Sequence, residues 1–193
     1  VLFNAAVREG LMPYNPFRRV PGAPVLTKLP KALSKDAMVA HMDWLKTAFR
    51  RDKQGRKVDL IQPQWFWYVV LRTFYYTGMR KRQLLGLVWD DIDFAGKTIL
   101  LSAENSKTRR EWKVPLPEPL ASDLQNRRAR TLELCKSHLG PLQVFCLPLF
   151  SERRTTFRHD RMTADNLDNF FQRLRRALPV DAPRLSAHKI RHT

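Results

Sequence analysis

Three short segments carry side chains whose types and spacing suit chemistry at a phosphate: Thr77-Gly78-Met79-Arg80, Ser106-Lys107-Thr108 and His188-Lys189-Ile190-Arg191-His192-Thr193. A reaction at a phosphodiester builds negative charge on the non-bridging oxygens. Two guanidiniums with fixed planar donors can hold both oxygens more tightly as that charge grows. Two arginines can therefore do at a phosphate what metal ions do elsewhere. His188 and Arg191 lie three apart, which puts both on one face of a helix. Near the start of that helix, unpaired backbone N–H groups also favour an anion. A lysine on a hairpin tip, as Lys107 would be, can follow a nucleic-acid strand and donate a proton. Each residue alone also has an ordinary reading: Arg80 as a helix-start arginine, Lys107 as a solvated hairpin charge, His188 as a helix-end histidine.

The rest of the sequence must supply mounts for these groups. Hydrophobic residues are 44% of the 193 and aromatic residues 10%, enough for a packed core and too many for an unstructured basic tail. A first helix ends near Gly10, and Pro13, Pro16, Pro21, Pro24 and Pro30 then punctuate a stretch that reads as an interdomain linker. Ser34 is a candidate N-cap for a helix over about 35–51, with Met38, Met42, Leu45 and Phe49 on its apolar face. Pro63 opens a helix, apolar nearly all round and therefore central to the core, that ends at Gly78. A short helical segment, Lys81 to Val88, leads through Trp89-Asp90-Asp91-Ile92-Asp93-Phe94 and the Ala95-Gly96 turn to Thr98-Ile99-Leu100-Leu101. A polar tip then precedes Glu111-Trp112-Lys113-Val114. These make a small antiparallel sheet of three strands. Further helices are expected from Pro119 to about Ser137, from Thr163 as N-cap to Ala177, and after Ser186. The expected fold class is α+β, mainly α-helical with that small sheet.

The chain carries 35 Lys plus Arg against 18 Asp plus Glu, a formal net charge of +17. The excess is spread as +5, +4, +3 and +5 over residues 1–50, 51–100, 101–150 and 151–193. A basic tail would concentrate it; an even spread in a folded chain leaves tertiary structure to gather it onto one face. Nucleic acid is the leading partner, ahead of a merely solvated basic surface or an anionic membrane. Cys135 and Cys146 match no disulfide scaffold, zinc or redox pattern, so a reducing cytosol is the default. His41, His138 and His159 show no metal-ligand spacing, and His192 reads as a packing or hydrogen-bonding residue. The longest apolar run, Trp65 to Leu71, is far short of the ~20 residues of a membrane helix.

Taken in order, and joined by the Trp89-Asp90-Asp91-Ile92-Asp93 segment, a hairpin and a Val114-Pro115-Leu116-Pro117 exit, the three segments resemble the tyrosine recombinase (phage integrase) family. The match is good over residues 60 to 193. Ala6-Val7-Arg8-Glu9-Gly10-Leu11 followed by Asn15-Pro16-Phe17 is similar to the end of that family's core-binding domain. The resemblance implies a DNA breaking-rejoining catalytic-domain fold over 34–193, preceded by a linker at 21–33 and the end of a helical core-binding domain at 1–20. It implies cleavage of one strand of double-stranded DNA by a tyrosine, giving a 3′-phosphotyrosyl bond and a free 5′-hydroxyl, then rejoining to another strand. The bond energy is conserved, so no cofactor is implied. Carried over, Arg80 and Arg191 are the paired arginines, His188 belongs to the His-x-x-Arg element, and Lys107 protonates the leaving oxygen. The implied setting is a phage or mobile element in the bacterial cytoplasm. The full-length protein is implied to be tetrameric on DNA, and this chain alone is expected to be monomeric.

Two departures qualify the resemblance. The family usually carries an acid three positions after the first arginine, where this chain has Gln83, which can hydrogen-bond active-site groups but supplies no charge. The four tyrosines, Tyr14, Tyr68, Tyr75 and Tyr76, all precede Arg80, so the expectation is a catalytic domain cut before its nucleophile and unable to cleave by itself. Lys81, Arg82, Thr108, Arg109, Arg110, Arg153, Arg154 and Arg158 are candidate DNA contacts. Two alternatives stay open: a non-catalytic DNA-binding protein that kept the fold, which Gln83 makes worth carrying, and a type IB topoisomerase.

Overall fold

The computed structural model describes residues 2–20, 32–105, 109–134, 142–146, 162–179 and 182–191. Within them the chain is mainly helical with two small antiparallel sheets. Helix α1 covers Leu2–Arg8, and Phe3 packs on Phe17 with ring centroids 4.9 Å apart.

Helix α2, Lys35–Thr47, starts where Ser34 caps it: the Ala37 N–H donates to Ser34 Oγ at 3.1 Å. Met38, His41, Met42 and Leu45 form its buried face. The helix stops four residues short of the position expected from its apolar spacing, because the chain folds into a hairpin instead. Strands β1 (Phe49–Arg51) and β2 (Lys57–Asp59) pair in the register Phe49 opposite Asp59. The turn between them dictates this: Asp52 Oδ1 accepts from the Gln54 and Arg56 N–H groups at 2.9 and 2.8 Å. Gly55 takes the left-handed φ of 76° that the turn requires. Phe49, expected on the helix's apolar face, is 47% exposed with the Lys57 ammonium over its ring.

Helix α3, Gln64–Thr77, is the centre of the core; Phe66, Val70, Leu71 and Phe74 are fully buried. It packs against α2, α5 and α7. Gly78 closes it in the left-handed conformation and donates its N–H to the Phe74 carbonyl at 2.9 Å. After α4 (Lys81–Gly86) the predicted three-stranded sheet forms from β3 (Ile92–Asp93), β4 (Thr98–Leu101) and β5 (Trp112–Pro115). Ile99 sits opposite Ile92 and Val114. Ile99 and Leu101 point into the core while their neighbours in β4 stay half-buried, the alternation a one-sided sheet demands.

Helix α5, Glu118–Leu134, buries Leu120, Ala121 and Leu124. It also buries Arg127, whose guanidinium lies over the rings of Trp65, Phe66 and Phe145. Arg127 donates to the Val144 and Cys146 carbonyls. Helix α6, Ala164–Ala177, begins with a reciprocal cap between Thr163 and Asn166. Its Leu167, Phe170 and Leu174 are buried, and Phe170 stacks on Trp67 of α3 at 4.2 Å. Helix α7, Ala187–Arg191, is anchored by buried Ile190, and the Lys189 N–H donates to Ser186 Oγ at 3.3 Å. Among the described residues no helix is long and apolar enough to cross a membrane.

Candidate active site

The left-handed turn at Gly78 buries Met79 and delivers Arg80 to the N-cap of α4. The Arg80 N–H donates to Gln83 Oε1 at 2.7 Å, so Gln83, only 2% exposed, ties down the first turn. That bond fixes the amide orientation: the oxygen must face the N–H. Gln83 Nε2 is therefore left buried without a hydrogen-bond partner. Burying such a donor costs about 1–3 kcal/mol. A carboxylate would accept at the same place and leave no orphan donor, which makes the glutamine a real departure in the packing as well as in charge.

Arg80 lines a cleft of about 560 Å³ between α4, α6 and α7. Met79 and Phe171 form an apolar part of its wall, and Ser186, Ala187, His188 and Arg191 enter from the start of α7. The structure thus brings three of the four residues expected to do chemistry to one place, although Arg80 and His188 are 108 positions apart in the chain. Desolvation holds the Arg191 pKa below the usual arginine range, and the positive charge of Arg80 adds to that effect. Two guanidiniums that repel each other across one cleft are a site prepared for an anion, whose arrival turns the repulsion into joint attraction.

Lys81, the residue after Arg80, also lines the cleft, but its ammonium is engaged by Asp168 of α6 at 2.9 Å to Oδ1 and 2.7 Å to Oδ2. Arg82 is exposed. Arg109, with φ of 50°, and Arg110 are both exposed on the approach to β5. Lys107, Thr108, Arg153, Arg154 and Arg158 lie outside the described residues. None of the four tyrosines is among the residues that line the cleft; Tyr68 and Tyr76 instead flank the Arg72 guanidinium, each with its ring centroid 5.4 Å away. Among the described residues no cluster of His, Cys, Asp and Glu could hold a metal ion.

Sequence reasoning missed two features of this region. Asp168 has no spacing relation to Arg80 or His188 and reads as an ordinary polar position of α6. The other is a close contact between α4 and the base of the β4–β5 connection. A Cβ at Gly86 would lie 2.1 Å from Asn105 Nδ2 and 2.3 Å from its Cγ, so any other residue at 86 requires the Asn105 side chain to move from the place it occupies beside α4. The Leu85-Gly86-Leu87 run contains a glycine inside a helical pattern, and that is the one signal that pointed there.

Comparison with known proteins adds an independent line. Residues 33–193 match the model of the phage integrase family. A protein of Pseudomonas syringae named as tyrosine recombinase XerC is 29% identical over all of this chain and 39% of its own length. One of the same name from Pseudomonas aeruginosa is 28% identical over 93% of the chain and 40% of its own length. The chain thus spans about two fifths of these curated relatives. Among solved structures, XerH site-specific recombinase bound to difH substrate superposes with a TM-score of 0.58 at 17% identity, covering 90% of this chain and 44% of that one. The Tn1549 transposon integrase in complex with a circular intermediate DNA gives 0.55 at 21% identity, covering 98% and 60%.

Proposed function

The chain belongs to the phage integrase family, whose model covers most of it, and from that premise we propose that it is the catalytic part of a tyrosine-type, site-specific DNA recombinase. The observation that carries the reading is the pairing of Arg80 with Arg191 in one cleft beside His188. The two guanidiniums hold the non-bridging oxygens of the scissile phosphate and gain strength as charge develops there. His188, one turn before Arg191, donates to the same phosphate. A tyrosine hydroxyl releases its proton to solvent and attacks phosphorus, the bond to the 5′ oxygen breaks, and Lys107 supplies the proton that oxygen takes up. The product is a 3′-phosphotyrosyl bond that a second 5′-hydroxyl reverses.

Gln83 supports the site by holding the Arg80 backbone in place. Arg82, Arg109 and Arg110, with Thr108, Arg153, Arg154 and Arg158, bind phosphates along the duplex. Residues 34–193 form the catalytic unit, 21–33 a linker and 1–20 the end of a core-binding domain. The protein acts on double-stranded DNA in the bacterial cytoplasm, as a tetramer on paired sites. Since no tyrosine here lines the cleft or follows Arg80, these 193 residues alone are expected to form no covalent adduct.

The test uses the protein expressed from its complete reading frame and a duplex from the boundary of the element that encodes it, nicked next to the scissile phosphate. A detergent-resistant protein–DNA adduct is expected. Arg80→Ala should slow its formation by about 10²–10³-fold with DNA affinity reduced far less. Binding without any adduct would favour the reading that Gln83 invites, a DNA-binding protein that keeps the fold without the chemistry.

A further inference from the structure

Consecutive cations at the start of α4 face different situations. Arg82 is exposed and makes no ion pair among the described residues. Lys81 lines the cleft and shares its ammonium between both oxygens of Asp168, at 2.9 and 2.7 Å. Asp168 is the one carboxylate among the described residues lining a cleft that otherwise presents Arg80, His188 and Arg191. Left unpaired there, it would repel the phosphate those residues attract.

We infer that Lys81 serves the reaction by masking Asp168 rather than by binding DNA: the pair is a self-neutral clasp across the mouth of the cleft, from the first residue of α4 to the second turn of α6. The inference rests on the reading of the cleft as a phosphate site. It withdraws Lys81 from the cations that grip the duplex and leaves Arg82 among them. The clasp also links the helix that carries Arg80 to the helix opposite it, two elements that already touch. Lys81 and Asp168 are 38% and 53% exposed, so the clasp is solvated and contributes little to folding. Its effect is on the potential that an incoming phosphate meets.

That assignment predicts effects of opposite sign. In a salt titration of DNA binding by the 193-residue chain, Lys81→Gln should weaken affinity at least threefold by exposing Asp168. Asp168→Asn should tighten it at least threefold by releasing Lys81. The double variant Lys81→Gln/Asp168→Asn, which removes the pair without changing net charge, should keep both the wild-type affinity within twofold and the slope of log K against log salt. A lysine that itself neutralises a phosphate would instead lower that slope by about 0.9 in the double variant; such a loss overturns the inference. A merely structural pair would make both single variants bind more weakly, and that result overturns it too. Arg191→Ala in the same titration separates the two readings: an unchanged affinity and slope there would sink the phosphate cleft itself, whatever Lys81 does.

Discussion

Replacing Gly86 by alanine tests how α4 is joined to the base of the β4–β5 connection. In an exposed helix the change would help, since alanine is favoured over glycine by about 1 kcal/mol. Here the added methyl would lie 2.1 Å from Asn105 Nδ2, 2.3 Å from Cγ and 2.4 Å from Oδ1. Ordinary contact begins near 3.4 Å, so the Asn105 side chain must retreat by more than ~1 Å. Turning the amide alone does not relieve the contact, because Cγ is also in the way; the Asn105 side chain has to swing to another rotamer. Overpacking of this kind costs about 1–3 kcal/mol. Set against the gain in helix propensity, the net expectation is a loss of up to about 2 kcal/mol, or at most roughly 8 °C in Tm for a chain of this size. Asn105 ends the turn that leads into Ser106-Lys107-Thr108, so adduct formation should slow as well. Shortening the obstructing side chain in Gly86→Ala/Asn105→Ala should return Tm to that of Asn105→Ala alone or above it. A Gly86→Ala variant more stable than wild type by the full helix-propensity gain of about 1 kcal/mol, or one whose defect persists in the double variant, would refute this account of the joint.

Two further predictions concern stability. The Asp91 carboxyl is held above its ordinary range by burial, against the N–H of Val88 that donates to it, with the charges of Asp90 and Glu111 adding to the rise. An acid whose folded pKa is raised costs stability as pH climbs from its unfolded value through the folded one. Asp91→Asn, which can still accept from Val88, should therefore gain on wild type in urea midpoint between pH 4 and pH 7, and a gain that shrinks over that interval would contradict the assignment. Arg127→Met keeps the apolar contacts with three rings but leaves the Val144 and Cys146 carbonyls without their donor; a loss of about 2–3 kcal/mol, read by urea denaturation, is expected, and a neutral change would show that the cation is dispensable there.

What could be read from residues alone was local. Ser34 and Thr163 announced their helices because a cap is a contact between residues three apart, and the β4–β5 pairing followed from β-type runs around a polar tip. The end of α2 was misjudged: Phe49 fits a helical stripe, yet Asp52 and Gly55 close a turn that competes for the same residues. Arg80, His188 and Arg191 were singled out through their order along the chain, while their meeting in one cleft is a property of packing that no local pattern carries. Asp168 stayed invisible because nothing in its neighbourhood marks it; its significance comes from Lys81, 87 residues away. The contact at Gly86 went unread, since its partner belongs to a different element.

The central claim is that Arg80 and Arg191 act as one unit on one phosphate. Adduct formation by the complete-reading-frame protein, measured for Arg80→Ala, Arg191→Ala and the double variant, tests it most directly. Groups that act together are strongly non-additive, so the double variant should be slower than the worse single variant by less than about tenfold. A double variant whose loss equals the product of the two single losses would mean that the arginines work independently, and the shared phosphate site would be wrong.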